Sequence, residues 1–470
     1  MVAITLPTST APGQHPQESG GRLINCFAES LGKTAGSQIV LRRVPGLELF
    51  GGAVGQENYR GGQLVGADFY AAFNGKVVSL TTGGVETALT GTLAGTDGVI
   101  WARNNAATPD LVVVSPANGA SVVSTTTVSA YPDVDVGSPN SVCFLKGYFI
   151  FTYGDGKVRS SGINSTSINL LDNATAESKP DTLYRGIPLG NGQLLLAGSG
   201  SMEIWGGQND TGFPFSYIQT IPRGICGRYA IAGHEDGFGY GIFFVGDDNK
   251  VSRLNGYQPD PISPPDLDRL IEAVTDKNTI QVGVFVNQGH GFVVVQCTSW
   301  TWIYDNNTGT WHEHISYEQG AWRGLFPHNA FGKWLVGDRN TGNILALNTL
   351  VQGEVDDPLR MTVETGPMGQ FPQGTRVNRL DLLVSTAVGL VTGASNLIEP
   401  VIDIWMSKDN GLTWGNAWQR KLGPVGRTVK VTVNNLGHCG PQGVKFKFAI
   451  SDGIHAAIMG GDVDVSLIGK

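Results

Sequence analysis

Short apolar runs separated by glycine, asparagine and aspartate turns dominate this chain. A unit of apolar strand, Gly/Asn/Asp turn and second apolar strand begins near Gly66, Pro109, Cys143, Gly192, Phe238, Gly291 and Phe331. The first reads VGADFYAAFNGKVVSL and the last FGKWLVGDRNTGNILALN. By subtraction the starts lie 34 to 53 residues apart, around the ~40–50-residue length of a β-propeller blade. Each four-stranded blade buries its faces only against its neighbours, so six or seven blades are expected. The units share no strict signature, which argues against a WD-type array. Asn74-Gly75, Asn118-Gly119 and Asp155-Gly156 fall between apolar runs and predict type I′ hairpins, in which both central residues take positive φ.

One helix interrupts the pattern. Ser263-Pro-Pro-Asp-Leu-Asp-Arg-Leu-Ile-Glu-Ala-Val274 offers a serine cap, a proline at the first helical position and an apolar stripe at 267, 270, 271 and 274. After Asn348 the repeat stops. Strand-like runs follow at Asn378–Ser385, Val401–Met406, Thr428–Val433 and Val444–Ile450. The strict alternation of Val444-Lys-Phe-Lys-Phe-Ala-Ile450 predicts one wet and one buried face. The first sixty residues are rich in Pro, Gly, Ser and Thr up to about Gly20 and then turn apolar. The expected fold is therefore all-β: an extended N-terminal arm and lead-in (1–60), a β-propeller (61–355) and a C-terminal β-sandwich-like domain (356–470).

Composition supports this reading. Glycine is 66 of 470 residues and charged residues are only 15%, against usual shares of about 7% and about 25%. The net charge of −8 gives no basic footprint for gripping phosphates. Five cysteines, Cys26, Cys143, Cys226, Cys297 and Cys439, are odd in number and lack C-x-x-C spacing. They predict reduced, mostly buried thiols and neither a disulfide framework nor a zinc site. The start Met1–Pro7 has no basic n-region, and no apolar stretch nears the ~18 residues of a membrane span. Synthesis in a cytoplasm with no membrane segment is expected.

The candidate chemical motifs are each weaker than their structural alternatives. Ser407-x-Asp409-x-Gly411-x-Thr413-Trp414 matches the Asp-box, a turn device in which Asp accepts backbone N–H bonds. Asp305-Asn-Asn-Thr-Gly-Thr-Trp311 and Asp338-Arg-Asn-Thr-Gly342 resemble partial calcium loops but lack the full pattern. His312 and His314 share a strand face, two ligands without a third. Gly32-Lys33-Thr34 would end a phosphate-binding loop, yet its required first glycine is Phe27. No G-x-S-x-G elbow occurs. The pairs Asp247-Asp248 and Asp356-Asp357 read as solvated loop charges. The aromatic set Trp300, Trp302, Tyr304, Trp311, Trp322 and Trp334 reads as inter-blade core before a carbohydrate platform. The expectation is no enzyme, with no catalytic, cofactor-binding or metal-binding residues and no cofactor.

Several stretches nonetheless resemble, in order, the packaged-DNA-stabilising tail hub or nozzle proteins of short-tailed bacteriophages. Arg22-Leu-Ile-Asn-Cys-Phe27 and Leu41-Arg-Arg-Val-Pro-Gly46 are similar to the family's opening, and Tyr59-Arg-Gly61 follows. The most specific block is Gly198-Ser-Gly-Ser-Met-Glu-Ile-Trp205 with Phe213-Pro-Phe and Arg223-Gly-Ile-Cys-Gly227. The helix at 263–274, Trp302-Ile-Tyr-Asp305, Trp322-Arg-Gly324 and Gly337-Asp338 complete a collinear likeness over most of residues 20–350.

The resemblance implies a structural virion protein, assembled in the host bacterial cytoplasm. It implies a homo-oligomeric ring, usually a hexamer, below the portal and head–tail adaptor. That ring would carry tail fibres or spikes, meet a tail needle or plug, and line or close the DNA exit channel. Its acidic balance suits DNA sliding past without tight or sequence-specific binding. The alternative is a carbohydrate-binding or sialidase-like propeller module, which would need arginines, a tyrosine and an acid gathered at the propeller centre. A kelch-like scaffold is a third reading, but Gly51-Gly52, Gly61-Gly62, Gly83-Gly84 and Gly206-Gly207 do not fall once per blade.

Overall fold

All seven hairpins form, each as the two middle strands of a four-stranded antiparallel blade, the sixth and seventh blades being parts of sheets of nine and six strands. The computed structural model describes residues 2–32, 39–52, 56–116, 118–176, 178–207, 209, 211–369 and 372–468. Six of the blades are built from consecutive strands within 61–88, 100–130, 141–175, 183–221, 231–261 and 281–313. The first strand of each lies innermost, against the first strands of its neighbours. At the fourth-to-fifth junction, Ile187, Leu195, Ile231 and Phe244 share one buried cluster. The ring therefore has seven blades.

The seventh blade is composite. Residues 324–348 supply three strands, and the fourth is Gly46–Gly52 from the N-terminal region, antiparallel with Gly46 opposite Asn348 and Gly52 opposite Asn343. Closing the ring with a strand from the opposite end of the chain removes the free edge that a linear array would leave.

Two further sheets face each other across a second core. One pairs Cys26–Ser30, Ile39–Arg43, Ala457–Ile468, Gly374–Val384 and Val431–Cys439. The other continues outward from the sixth blade through Arg22–Ile24, Met361–Glu364, Lys445–Ile450, Val401–Ser407 and Trp418–Lys421. Leu23, Leu41, Met361, Val377, Ile404 and Phe448 fill the space between them. The strands of residues 22–43 thus pack inside this unit.

Three local expectations change. At the Asn74, Asn118 and Asp155 turns only the following glycines, Gly75, Gly119 and Gly156, have positive φ. The hairpins sit where expected, but they are not type I′ turns. The helix spans Pro265–Ala273 with Leu267 and Ile271 buried, as its stripe requires, yet its N-cap is Pro264. Ser263 hydrogen-bonds the Asp268 side chain and accepts from Val251 N at 3.0 Å. The alternating strand has no wet face at its start. Lys445 is 3% exposed, its ammonium donating to Pro16 O. Lys447 lies 4.4 Å over the Trp414 ring and 5.3 Å over Trp405, a cation–π arrangement.

Asn25 joins the propeller to the two-sheet unit. Its side-chain amide donates to Ile315 O at 2.8 Å and Arg360 O at 2.9 Å, and accepts from Ile315 N at 2.8 Å. Its backbone holds φ 56°, a conformation Asn tolerates better than branched or bulky residues. Asn25→Leu strands buried polar groups on both sides and is expected to cost roughly 3 kcal/mol, read as a lowered urea midpoint.

Candidate functional site: the central cavity of the propeller

The inner strands leave a cavity of about 370 Å³ on the propeller axis, to which all seven blades contribute, among them Gly62, Ala102, Val142, Arg185, Ile231, Val282 and His328. Two aromatic rings stand at the end where the inner strands begin. Tyr229, entering the fifth blade, donates its hydroxyl across the axis to Gly98 O at 2.7 Å. The Phe326 ring sits edge-on to it at 5.7 Å. A register shift between Leu325 and His328 lets Phe326, at φ 44°, join the lining. The opposite end is polar, with Arg103, Asn105 and Asp236 exposed beside His234, Glu235 and Asn329.

Arg185 is 8% exposed. Its Nη1 donates to Arg228 O at 3.3 Å, whereas its Nε has no acceptor, and burial lowers its pKa. Glu235 Oε2 accepts from Gly233 N at 2.6 Å and lies 3.8 Å from His234 Nδ1. His328 Nε2 accepts from Gly62 N at 3.1 Å, and burial pushes its pKa down to about 4. The cavity thus gathers arginines, a tyrosine and acids at the propeller centre, a convergence the linear sequence concealed. A tyrosine nucleophile, however, needs a neighbouring base or a depressed pKa. Burial pushes Tyr229 up to about 12, and its proton is directed at a carbonyl.

The sequence motifs lie elsewhere. The Asp-box occupies the two-sheet unit, where Asp409 accepts from Thr413 N at 2.9 Å and from the Ser407 hydroxyl at 2.7 Å. Those bonds, led by Thr413, hold its carboxyl down at about 2. Asn410 of the same loop donates to Gln17 O at 3.0 Å, fastening the N-terminal segment. Asp305 accepts from Asn307 N at 2.9 Å and the Thr308 hydroxyl at 2.9 Å, with His290 Nδ1 at 2.8 Å. Asp338 is filled in the same way by Asn340 N and Thr341, plus Arg323. Both are Asx turns whose oxygens already have protein donors. Among the described residues no three His, Cys, Asp or Glu side chains converge as a metal-ligand set.

Asp247 and Asp248 both face Arg223, at 2.9 and 3.4 Å, and Asp357 faces Arg323 at 2.9 Å. Trp302, Trp311, Trp322 and Trp334 belong to the inter-blade core. Lys33 and Thr34 lie outside the described residues. All five cysteines are free, and burial pushes Cys143 and Cys226 up to about 12. No helix among the described residues is long and apolar enough to cross a membrane.

His312 and His314 are buried separately among rings. His312 packs against Phe27 and Phe292, while His314 stacks on Trp322 at 4.8 Å, with Glu354 Oε1 3.5 Å away. Burial, reinforced by His314, pushes His312 down to about 3. A histidine depressed in the folded state is protonated first in the unfolded chain. Its destabilising effect is absent above pH 6.5 and grows as pH falls toward 3. Stability is expected to drop from His312 alone by about 2 kcal/mol at pH 5, with His328 adding in the same direction. Urea titrations at pH 7.5 and pH 5 check this. The His312→Phe variant should lose part of the pH dependence.

Three aromatic-Arg-Gly triplets, Tyr59-Arg60-Gly61, Tyr184-Arg185-Gly186 and Trp322-Arg323-Gly324, fall at or just before inner strands. Arg60 is fully buried and donates to Asp97 O, Leu93 O and Ala94 O and to Ser115 Oγ at 2.6 to 3.2 Å. Arg323 grips Asp338 through two bonds, at 3.1 and 2.7 Å. Glu203, in the fourth blade, accepts from Ser178 N and Trp205 Nε1, both at 2.8 Å. These polar nodes pin turns and strands against one another. Arg185 was missed in the linear reading, and the recurrence of this triplet is the signal in the sequence that marks it.

A family model described as Bacteriophage P22 Gp10, beta-propeller matches residues 23–352. No curated protein matches the chain. Among solved structures, the WD40 β-propeller domain of Doa1 is 12% identical with a TM-score of 0.42, covering 64% of this chain and 96% of that one. A catalytically inactive virginiamycin B lyase from Staphylococcus aureus, solved with quinupristin, is 10% identical with a TM-score of 0.43, covering 64% and 98%. The family match spans the propeller and the Asn25, Arg60 and Arg323 nodes. The chain therefore belongs to the P22 Gp10 β-propeller family, the phage tail proteins that stabilise packaged DNA.

Proposed function

We propose that this protein is a non-catalytic subunit of a ring-shaped tail hub or nozzle below the portal and adaptor, with the DNA path between subunits and not through the propeller. The small size of the axial cavity carries this reading. A cavity of 370 Å³ holds one small molecule and is far too small for a B-form duplex, whose major groove alone is ~12 Å wide, and Tyr229 and Phe326 line its base. The net charge of −8 supports a channel wall that repels DNA and lets it slide. Tail fibres or spikes, a needle or plug and the adaptor are the partners this reading assigns, with assembly in the host cytoplasm. Strand membership supports a working division into a propeller at 61–355, completed by 46–52, and a second unit of 356–470 with 22–43.

Mass photometry and negative-stain imaging of the purified chain, alone and with its portal and adaptor, test the proposal. Hexameric rings with a central opening between subunits are expected, together with negligible duplex binding at physiological salt. A chain that stays monomeric even with portal and adaptor present would count decisively against it.

A further inference from the structure

We propose that the propeller cavity is a binding site for a small hydroxylated carboxylate, of the sugar-acid class, with Arg185 as its carboxylate clamp. The inference is independent of the tail-ring reading. Three like arginines differ in how their guanidinium groups are used. Arg60 saturates its guanidinium with main-chain carbonyls and Ser115, and Arg323 with Asp338 and Asp357. Arg185, equally buried, makes one bond, from Nη1 to Arg228 O. Its Nε is buried without an acceptor, and no hydrogen bond among the described residues uses Nη2. The Nε–Nη2 edge is the side of a guanidinium that meets a planar carboxylate with two parallel bonds.

The rest of the lining selects the ligand. Trp101 Nε1 is a second buried donor with no acceptor. Glu235 commits Oε2 to Gly233 N and leaves Oε1 for a ligand hydroxyl, and the side chains of Asp236 and Asn329 stand at the same mouth. Two arginines, Arg103 and Arg185, offset two acids, Glu235 and Asp236, so a dianion would leave twice the uncompensated charge of a monoanion. A singly charged carboxylate ringed by hydroxyls satisfies both sets, whereas phosphate would face the acids. The volume suits one sugar-sized molecule.

Calorimetric titration of the full chain with glucuronate, glucose and inorganic phosphate tests the assignment. Glucuronate is expected to bind with a dissociation constant in the millimolar range or tighter. Glucose and phosphate are each expected to bind about tenfold more weakly or not at all. Arg185→Gln should weaken glucuronate at least about tenfold while the thermal midpoint holds. If that variant does not fold, Glu235→Gln and Arg103→Gln provide the same readout from the mouth. No glucuronate binding, phosphate binding of equal strength, or binding indifferent to all three substitutions would each overturn the proposal. Rings that form without glucuronate binding would leave the tail reading standing, and binding by a monomeric chain would leave this one standing.

Discussion

A chain shortened to begin at residue 56 is expected to yield no folded, soluble protein. The missing segment contains the outer strand of the seventh blade, Gly46–Gly52. Without it, Ile344, Leu345 and Ala346, all buried in the native protein, lie along an open strand edge, which invites intermolecular pairing. The same deletion removes Arg22–Ile24, which stands between the sixth blade and Met361–Glu364 in the nine-stranded sheet. It also strips Leu23, Cys26, Ala28 and Leu41 from the second core. Arg43, which donates to Ile450 O at 2.7 Å and Asp452 O at 2.9 Å, goes with it. A narrower change isolates the closure strand. Leu47 is fully buried, and Leu47→Asp both loses its burial and inserts a charge, at an expected cost of 4 kcal/mol or more by rough count. Soluble yield, near-UV circular dichroism and urea unfolding report both. A truncated chain with native near-UV signal would show that three strands suffice to close the ring.

The second large effect is expected at Arg323. Arg323→Ala leaves Asp338, which is fully buried, with only Asn340 N and Thr341 to receive it. Breaking a buried pair from one side costs about 3–5 kcal/mol. Removing both charges with shape-matched apolar groups costs far less, so Arg323→Met combined with Asp338→Leu should recover much of the loss. Asp338→Asn, which leaves Arg323 its bond to Asp357 at 2.9 Å, should fall between. Urea unfolding of the four proteins makes the comparison. A loss below about 1 kcal/mol for Arg323→Ala would mean that the ion pair merely decorates the junction.

Much of the fold was legible because the signals are local. Val77-Val78, Leu194-Leu195-Leu196 and Val293-Val294-Val295 mark middle strands, covered on both faces by neighbouring blades. Inner strands were harder to see. Leu183–Pro188 contains Arg185, Gly186 and a terminal proline, so it reads as a connector, although it borders the cavity. Lys445 illustrates the opposite error. Alternation placed it in water, and the segment around Pro16, more than four hundred residues earlier, covers it. The serine at 263 is a good cap by type, but a neighbouring proline has the geometry, and its hydroxyl finds Asp268 instead.

What the sequence determined by itself was the number of hairpins, the helix stripe, the core aromatics and the likeness to phage-stabilising tail proteins. Each depends on residues close together in the chain, where periodicity and turn chemistry act. What only the tertiary structure decided was the strand that closes the ring, the Asn25 junction, and the cavity that brings Arg103, Arg185, Tyr229 and Glu235 together. These join residues from different blades or from opposite ends of the chain. Their partners are chosen by how seven separate sheets pack around one axis, and no local pattern encodes that.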